Sequence, residues 1–344
     1  MREADVLRCP PATDEPAVVR PQRRPTYGLV DPPRAVGRDA YGAAIDRMVR
    51  TVRGLPGVRA LYQIGSVSSP GISDLDMVAV FADGVVCDVN PVRGLGGTDR
   101  YLFIHNLYGA PLQHFARARR LSFFHDYRLL WGEDAGDGGA ALTDAEAALL
   151  KRQIALEYLV RLYAVMALQR AYRTVKVRGF LLHVKAVAYD LEFLGITDGT
   201  LHDLTRRFVD WRAAWFEDAP DPGAFIRAYD AFYDALVSLL DGVGEVLPFY
   251  APGPFPYRIA RSLWLRPGPR LGVRQVGVRP PPALRVLGSR YFKLANRLNR
   301  FEFTVPVAAE APPPVLTERA RLVDAMRAYN RSRLPGFDVL TTSL

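Results

Sequence analysis

Leu61-Tyr62-Gln63-Ile64-Gly65-Ser66 is one of two stretches that decide the predicted fold, and the other, Asp74-Leu75-Asp76-Met77, follows after seven residues. The first stretch ends a short apolar run from Val58 to Ile64, which predicts a buried strand. The second opens a run to Phe81 with apolar residues on both faces, which predicts another strand. The interval between them is rich in Ser, Pro and Gly and therefore predicts a turn.

The two aspartates of the second stretch are expected to act together. Side chains alternate along a strand, so Asp74 and Asp76 point to one face while Leu75 and Met77 enter the opposite layer. The two acidic residues then lie roughly 6 to 7 Å apart at the backbone, given a rise of about 3.3 Å per residue. Carboxylates at this spacing can converge on Mg²⁺, which prefers oxygen ligands and completes its shell with water and phosphates. The pattern indicates a metal site that accepts a triphosphate.

The bend before the aspartates predicts a phosphate-binding element. Gly65 has no Cβ, so a phosphate can approach the backbone closely. The N–H groups that follow and the Ser66 hydroxyl can donate hydrogen bonds to phosphate oxygens. Ser73 can donate to the same triphosphate or orient Asp74. The alternative is a solvated turn, but two aspartates ahead of a buried strand need a reason that a plain sheet edge does not give.

The Gly-Ser bend followed by Asp-Leu-Asp-Met resembles the signature of the polymerase-beta-like nucleotidyltransferase superfamily. The resemblance covers roughly residues 40 to 132, and the helices that follow resemble the helical partner domain of its poly(A)-polymerase-like and antibiotic-modifying branches. It implies an α+β fold, with a small mixed sheet flanked by helices and then a mainly helical domain. It also implies two Mg²⁺ ions, with Mn²⁺ as an alternative, and transfer of a nucleoside monophosphate from a triphosphate to an acceptor hydroxyl, with release of pyrophosphate.

The resemblance assigns a role to particular residues. It implies that Gly65 and Ser66 hold phosphate and that Asp74 and Asp76 bind metal. It also places Arg178 and Lys185 where the helical domains of such enzymes present basic side chains to the triphosphate, although a solvated helix face explains these two residues as well.

The sequence departs from the family pattern at the third carboxylate, which activates the acceptor hydroxyl in active members. The predicted strand Tyr101–Leu107 offers His105 and Asn106 in its place. Asp88 and Asp126 are substitutes from elsewhere, and His105 is either a base or a packed strand residue. The alternative function is therefore a weak or inactive nucleotide- or RNA-binding module of the same fold.

The chain divides into four predicted parts. Residues 1–38 form a Pro/Arg-rich disordered arm, 39–135 the nucleotidyltransferase-like domain, 141–245 a helical domain, and 246–344 a region whose fold the sequence does not indicate. Apolar periodicity and capping signals predict helices from Tyr41 to Val52, Thr143 to Leu168, Gly179 to Leu194, Leu201 to Phe216, Pro222 to Leu240 and Thr317 to Asn330, and a further strand within Arg120–Trp131.

Charge suggests the class of partner but not its identity. The formal net charge of +9, from 45 basic and 36 acidic residues, favours phosphate-bearing partners such as nucleotides, nucleic acid or anionic lipid. Basic residues around Tyr291, Phe292 and Phe301 could bind RNA or form a half-buried helix with a solvated face. The acceptor could be RNA, a protein hydroxyl or a small molecule.

The compartment is predicted from cysteines and hydropathy. Two cysteines exclude a disulfide framework and favour a reducing environment. The N-terminus lacks the apolar core of a signal peptide, and the most apolar long segment, residues 153 to 168, is interrupted by Glu157 and Arg161. We therefore expect a cytoplasmic protein without membrane insertion.

Overall fold

The computed structural model places the chain in the α+β class, with helices packed on small, partly mixed sheets. Most of the predicted N-terminal arm and the substitute acid Asp126 lie outside the residues that the structure describes. The described residues are 27–122, 127–136, 141–246, 248–251, 253–278 and 280–341.

The first part of the chain alternates between strands and helices. The strand prediction for Val58–Ile64 is confirmed, whereas the strand predicted from Asp74 begins at Asp76. The elements are β1 (Gly28–Val30), α1 (Arg38–Arg53), β2 (Val58–Ile64), β3 (Asp76–Phe81), α2 (Gly97–Leu102), β4 (Tyr108–Pro111), α3 (Leu112–Ser122) and β5 (Tyr127–Gly132).

The middle of the chain is mainly helical, as predicted. Its first helix begins at Thr143, whose hydroxyl accepts from the Glu146 N–H while the Glu146 carboxylate accepts from the Thr143 N–H. This reciprocal cap satisfies N–H groups at the helix start that have no intrahelical partner. The elements are α4 (Asp144–Ala171), β6 (Thr174–Lys176), α5 (Val177–Phe193), α6 (Thr200–Ala214) and α7 (Pro222–Val246).

The C-terminal region, whose fold the sequence does not indicate, contains strands and two helices. Four of its strands form a sheet in the order β7-β8-β10-β9, and the chain then returns to the first sheet. Tyr291, Phe292 and Phe301 are buried, so their rings are not exposed for stacking on RNA bases. The elements are β7 (Tyr257–Ala260), β8 (Leu263–Pro267), β9 (Gly272–Gly277), α8 (Ser289–Leu298), β10 (Asn299–Val305), α9 (Pro314–Arg333) and β11 (Asp338–Val339).

A five-stranded mixed sheet positions the predicted site, in the order β11-β4-β3-β2-β5. β2 is antiparallel to β3 and β5, whereas β4 is parallel to both β3 and β11. One face packs against the buried side of α1, which carries Tyr41, Met48 and Val52. The other face packs against α3 and α9, and a buried ion pair between Arg319 and Glu157, with N–O distances of 2.9 and 3.0 Å, joins α9 to α4.

One strand prediction in this part is wrong in position, and another is confirmed only in its second half. The residues predicted as the strand Tyr101–Leu107 end α2 and then form a loop, and the strand follows at β4. The residues predicted as the strand Arg120–Trp131 include the end of α3 at Ser122 and then β5 from Tyr127, and Phe115, Ala118 and Leu121 of α3 are buried at helical spacing. Short apolar runs do not distinguish a strand from one or two helical turns, which explains both errors.

No helix in the described part of the chain combines the length and the low polarity needed to cross a bilayer.

Candidate functional site

Asp74 and Asp76 lie at the start of β3 and point to the same side of the sheet. Oxygen atoms of both carboxylates and a ring nitrogen of His105 all lie within 4.8 Å of one another. Leu75 and Met77 are buried on the opposite face, as strand alternation requires. The acidic pair predicted from the sequence is therefore brought together, in half-buried surroundings, with an imidazole as a third group.

His105 contacts Asp76 from the loop between α2 and β4. Its Nε2 lies 2.5 Å from Oδ1 of Asp76, and its Nδ1 lies 2.5 Å from the carbonyl oxygen of Asn106. The ring also packs against Tyr108, with 5.1 Å between ring centroids. Because a doubly protonated imidazole donates from both nitrogens, this arrangement suits the cationic form of His105.

The charges in the cluster perturb one another. Burial raises the pKa of Asp74 to about 7, and the like charge of Asp76 adds to that rise. Burial alone would lower the pKa of His105, but the hydrogen bond and charge of Asp76 outweigh it and raise the pKa to about 9. The two carboxylates therefore require a nearby positive charge, and a divalent cation fits this donor set as well as an imidazolium does.

A further carboxylate, Asp338, lies beyond His105 on the edge strand β11. Its Oδ2 is 3.9 Å from His105 Nδ1, and its Oδ1 accepts from the Asn106 amide at 3.1 Å. Asp338 and Tyr108 are register partners, which places Asp338 on the same face as Asp76. The sequence-based substitute Asp88 is exposed and does not belong to this cluster.

The bend between β2 and β3 has the backbone conformation that the sequence predicts. Gly65 adopts a positive φ of 68°, which L side chains rarely adopt, and no atom lies within 4 Å of the position its Cβ would occupy. The hydroxyl of Tyr41 accepts from the Gly71 N–H at 2.9 Å and donates to the Ser73 carbonyl at 2.8 Å. The hydroxyl of Tyr101 donates to the Gly71 carbonyl. Hydrogen bonds from side chains of α1 and α2 thus hold the bend in place.

Arg178, predicted to face the triphosphate, instead holds the bend from α5. Its guanidinium donates to the carbonyl oxygens of Ile72, Tyr101 and Ser73, at 3.0, 2.6 and 3.1 Å. It also lies 3.7 Å from the centroid of the Tyr101 ring. The residue is buried, so its charge acts on Asp74 from behind the bend.

Arg212 reaches the same bend from α6. Its Nη1 and Nη2 donate to the hydroxyls of Ser68 and Ser73 at 3.1 and 3.0 Å, and its buried Nε has no hydrogen-bond partner. Ser73, predicted to bind nucleotide, is itself buried and also accepts from the Ser69 N–H at 3.2 Å. Its hydroxyl therefore helps to fix the bend.

A cleft of about 890 Å³ opens between the bend and the face of α5. It brings together most of the predicted site residues, including Lys185, and adds Arg212 and the half-exposed Tyr189, which sequence reasoning missed. Its lining includes Gly65, Ser66, Ser73, Asp74, Asp76, Lys185, Tyr189 and Arg212.

The missed residues left different signals in the sequence. Arg212 stands four residues after the buried Phe208 and therefore on the same face of the helix, where a cation needs a polar partner. Asp338 follows Gly336-Phe337 and precedes Val339, a pattern compatible with a short strand. No local pattern indicates that this strand joins β4.

No family model, curated protein or solved structure matches this chain. The functional interpretation therefore depends on the residues of the cleft.

Proposed function

We propose that the protein is a metal-dependent nucleotidyltransferase with a nucleotidyltransferase-like sheet and a helical partner domain. The observation that carries the proposal is the convergence of Asp74 and Asp76 beside the Gly65 bend, in one cleft with Lys185 and Arg212. Paired carboxylates bind hard cations, and a bend with adjacent basic groups accommodates phosphates. The cleft thus contains both groups of residues that a cation–triphosphate complex requires.

The residues have separable roles in this proposal. Asp74 and Asp76 hold the divalent cation, which neutralises phosphate charge and lowers the pKa of the acceptor hydroxyl. Gly65 and Ser66 donate to phosphate oxygens, and Lys185 compensates their charge from α5. Tyr189, 41% exposed, offers a ring on which the base of the nucleotide can stack.

The reaction forms one bond and breaks another. The acceptor oxygen attacks the α-phosphorus, the bond from this phosphorus to the bridging oxygen of the β-phosphate breaks, and pyrophosphate leaves with the electron pair. When a cation takes the place of the imidazolium beside Asp76, His105 loses that contact and becomes neutral, and it then accepts the acceptor proton. Asp338, close to the other ring nitrogen, then stabilises the resulting imidazolium. Catalysis in this scheme comes mainly from positioning and charge neutralisation.

The donor set bears on the choice of metal. Two carboxylates and phosphate oxygens suit two Mg²⁺ ions, as the family resemblance implies, whereas a nitrogen ligand from His105 would favour Mn²⁺. We expect Mg²⁺ to support transfer if His105 serves as the base. Comparing the transfer rates of wild type and His105→Ala in Mg²⁺ and in Mn²⁺ separates the role of His105 as a base from its role as a metal ligand.

The direct test replaces Asp76 with Asn and compares it with Asp88→Asn, an exposed carboxylate outside the cleft. Each variant is incubated with α-labelled ATP, CTP, GTP or UTP and Mg²⁺, and with RNA, protein and small-molecule acceptors in separate reactions. The proposal predicts pyrophosphate release by wild type and Asp88→Asn and its loss in Asp76→Asn. Equal turnover by all three proteins would reject the metal assignment.

A second candidate is a non-catalytic nucleotide-binding module of the same fold. The observation that favours it is that Asp338, a carboxylate beside the cluster, is separated from Asp76 by His105. Calorimetry with Mg²⁺ and each triphosphate distinguishes the candidates when it is joined to the transfer assay. Binding that depends on Asp76, without product from any acceptor class after long incubation, supports the module.

A further inference from the structure

A second pocket, basic in character, lies beside the cleft at the start of α5. It has a cavity volume of about 350 Å³ and is bordered by the segment after β1, the end of α2 and the first turn of α5. We call it the basic pocket. The residues used below are Arg34, Arg100, Tyr101, Ile104, Lys176 and Leu182.

The charge of the basic pocket is predominantly positive. Arg34 and Arg100 are exposed and Lys176 is half-buried, and none of the three forms an ion pair within the part of the chain that is described. Buried Arg178 forms the inner wall, and the acid in the lining is Asp31. Four cations against one carboxylate leave a concave surface that requires an anion.

The start of α5 adds to this preference. Lys176 occupies the cap position of the helix, and the pocket is open to its first turn, including Gly179. N–H groups of a first helical turn point out of the helix end and carry partial positive charge. The Arg178 N–H already donates to the carbonyl oxygen of Asp31 at 3.1 Å, so an anion is left with its neighbours in that turn. Burial lowers the pKa of Lys176, so the Lys176 ammonium is stabilised when an anion occupies the pocket.

The basic pocket adjoins the cleft that holds the aspartates. Leu182 lines both cavities, and Ile104 directly precedes His105, whose ring contacts Asp76. The two cavities thus share Leu182 as a wall, and one loop contributes Ile104 to the pocket and the next residue, His105, to the acidic cluster.

We propose that the basic pocket binds the phosphate group of a small acceptor, whose hydroxyl then reaches past Ile104 and Leu182 to Asp76 and His105. This inference rests on the proposed function, which leaves the acceptor open. The pocket volume falls in the range of small-molecule sites. The aromatic ring in its lining, Tyr101, is covered by Arg178 at 3.7 Å, so the pocket lacks the stacking surface that single-stranded nucleic acid uses.

The experiment measures phosphate binding separately from transfer. Calorimetry titrates inorganic phosphate, ribose 5-phosphate and ribose into the full-length protein without metal or nucleotide. The test variants are Arg100→Gln and Lys176→Gln. The control is Arg53→Gln. Arg53 is the last residue of α1 and lies about 22 Å along the helix from its first residue, Arg38, at 1.5 Å per residue. Asp76→Asn is included because it should abolish transfer by removing a metal ligand while leaving the basic pocket unchanged.

The expected result is binding of phosphate and ribose 5-phosphate but not ribose, weakened about tenfold by each test variant. Arg53→Gln should bind both phosphate compounds as wild type does, and Asp76→Asn should bind inorganic phosphate as wild type does. Absent binding of both phosphate compounds, or equal binding by wild type and both test variants, overturns the inference without affecting the proposed function. Tighter binding of a single-stranded RNA that displaces ribose 5-phosphate and depends on Arg100 and Lys176 would also overturn it, because the acceptor would then be nucleic acid.

Discussion

His105 and Asp76 form an ion pair at the centre of the candidate site, with 2.5 Å between Nε2 and Oδ1. The imidazolium provides the positive charge that two adjacent carboxylates require. A divalent cation shared by Asp74 and Asp76 would bring its own charge to the same oxygens. We therefore expect metal binding and the His105 contact to compete.

The first prediction concerns this competition. Titration with Mg²⁺ and a non-hydrolysable ATP analogue should shift the ring ¹⁵N resonances of His105 in NMR spectra, because its partner Asp76 becomes a metal ligand. The resonances of His202, which lies on α6 beside Asp203, serve as the internal control and should remain unchanged. A His105 signal that stays fixed while nucleotide binds would place the metal elsewhere.

The second prediction concerns Arg178 as the residue that fixes the bend. Arg178→Met removes the side-chain donor of the Ile72 and Tyr101 carbonyls and one of the two donors of the Ser73 carbonyl, so the free energy of unfolding should fall by about 3 kcal/mol or more. The matched control is Arg207→Met on the exposed face of α6, which should change stability by less than about 0.5 kcal/mol. Urea unfolding followed by circular dichroism measures both; equal effects would show that the three hydrogen bonds contribute little.

The third prediction concerns Asp338. Asp338→Asn should lower kcat about 100-fold while nucleotide affinity stays within about twofold, because Asp338 stabilises the protonated His105 and does not line the cleft. Asp324→Asn, an exposed acid on α9, is the control. Steady-state kinetics with calorimetric nucleotide affinities make the comparison. A loss of nucleotide binding equal to the loss of rate would instead indicate a role in holding the metal complex.

The fourth prediction concerns pH and His183. Burial, aided by the charge of Arg161, lowers the pKa of His183 from 6.5 to about 4, and its Nδ1 lies 2.7 Å from the hydroxyl of Tyr158. Below pH 6.5 the unfolded chain takes up a proton that folded His183 does not, so folding stability falls as the pH drops from 6.5 to about 4. The contribution of this residue to that fall is at most about 3 kcal/mol.

His183→Gln keeps a hydrogen-bond acceptor for Tyr158 and removes the titration. As the pH falls from 6.5 to about 4, the variant should therefore become more stable relative to wild type. Other groups that titrate, such as Asp74 and Asp190, are common to both proteins and cancel in the difference. Parallel stability curves from pH 7 to pH 4 would contradict the assignment.

The local parts of the fold could be predicted from the sequence. The run Val58–Ile64 is set off by Gly57 and Gly65, and the capping box at Thr143 opens a long helical segment, so flanking signals resolve both elements. The stretch Tyr101–Leu107 does not, since its apolar residues fit a short helix, a loop or a strand. Where β4 begins is decided by parallel pairing to β3, a contact between distant parts of the chain that no local pattern encodes.

The candidate site divides in the same way. Asp74, Asp76 and the Gly65 bend are close in sequence, and strand alternation is sufficient to bring them together. Asp338 enters the cluster because β11 adds to the sheet edge after the whole helical part of the chain has intervened. Long-range packing of this kind, like the contact of Arg212 with the bend, depends on the complete fold.

The most direct test of the central claim is anomalous diffraction from crystals grown with Mn²⁺ and a triphosphate that cannot be cleaved at its α–β bridge. The account predicts a Mn²⁺ peak bound by carboxylate oxygens of both Asp74 and Asp76, with the phosphates along Gly65 and Ser66 and the His105 ring displaced from Asp76 or bound to the metal. A triphosphate bound elsewhere, or a cleft in which His105 still pairs with Asp76 and no metal peak lies between the aspartates, would contradict it.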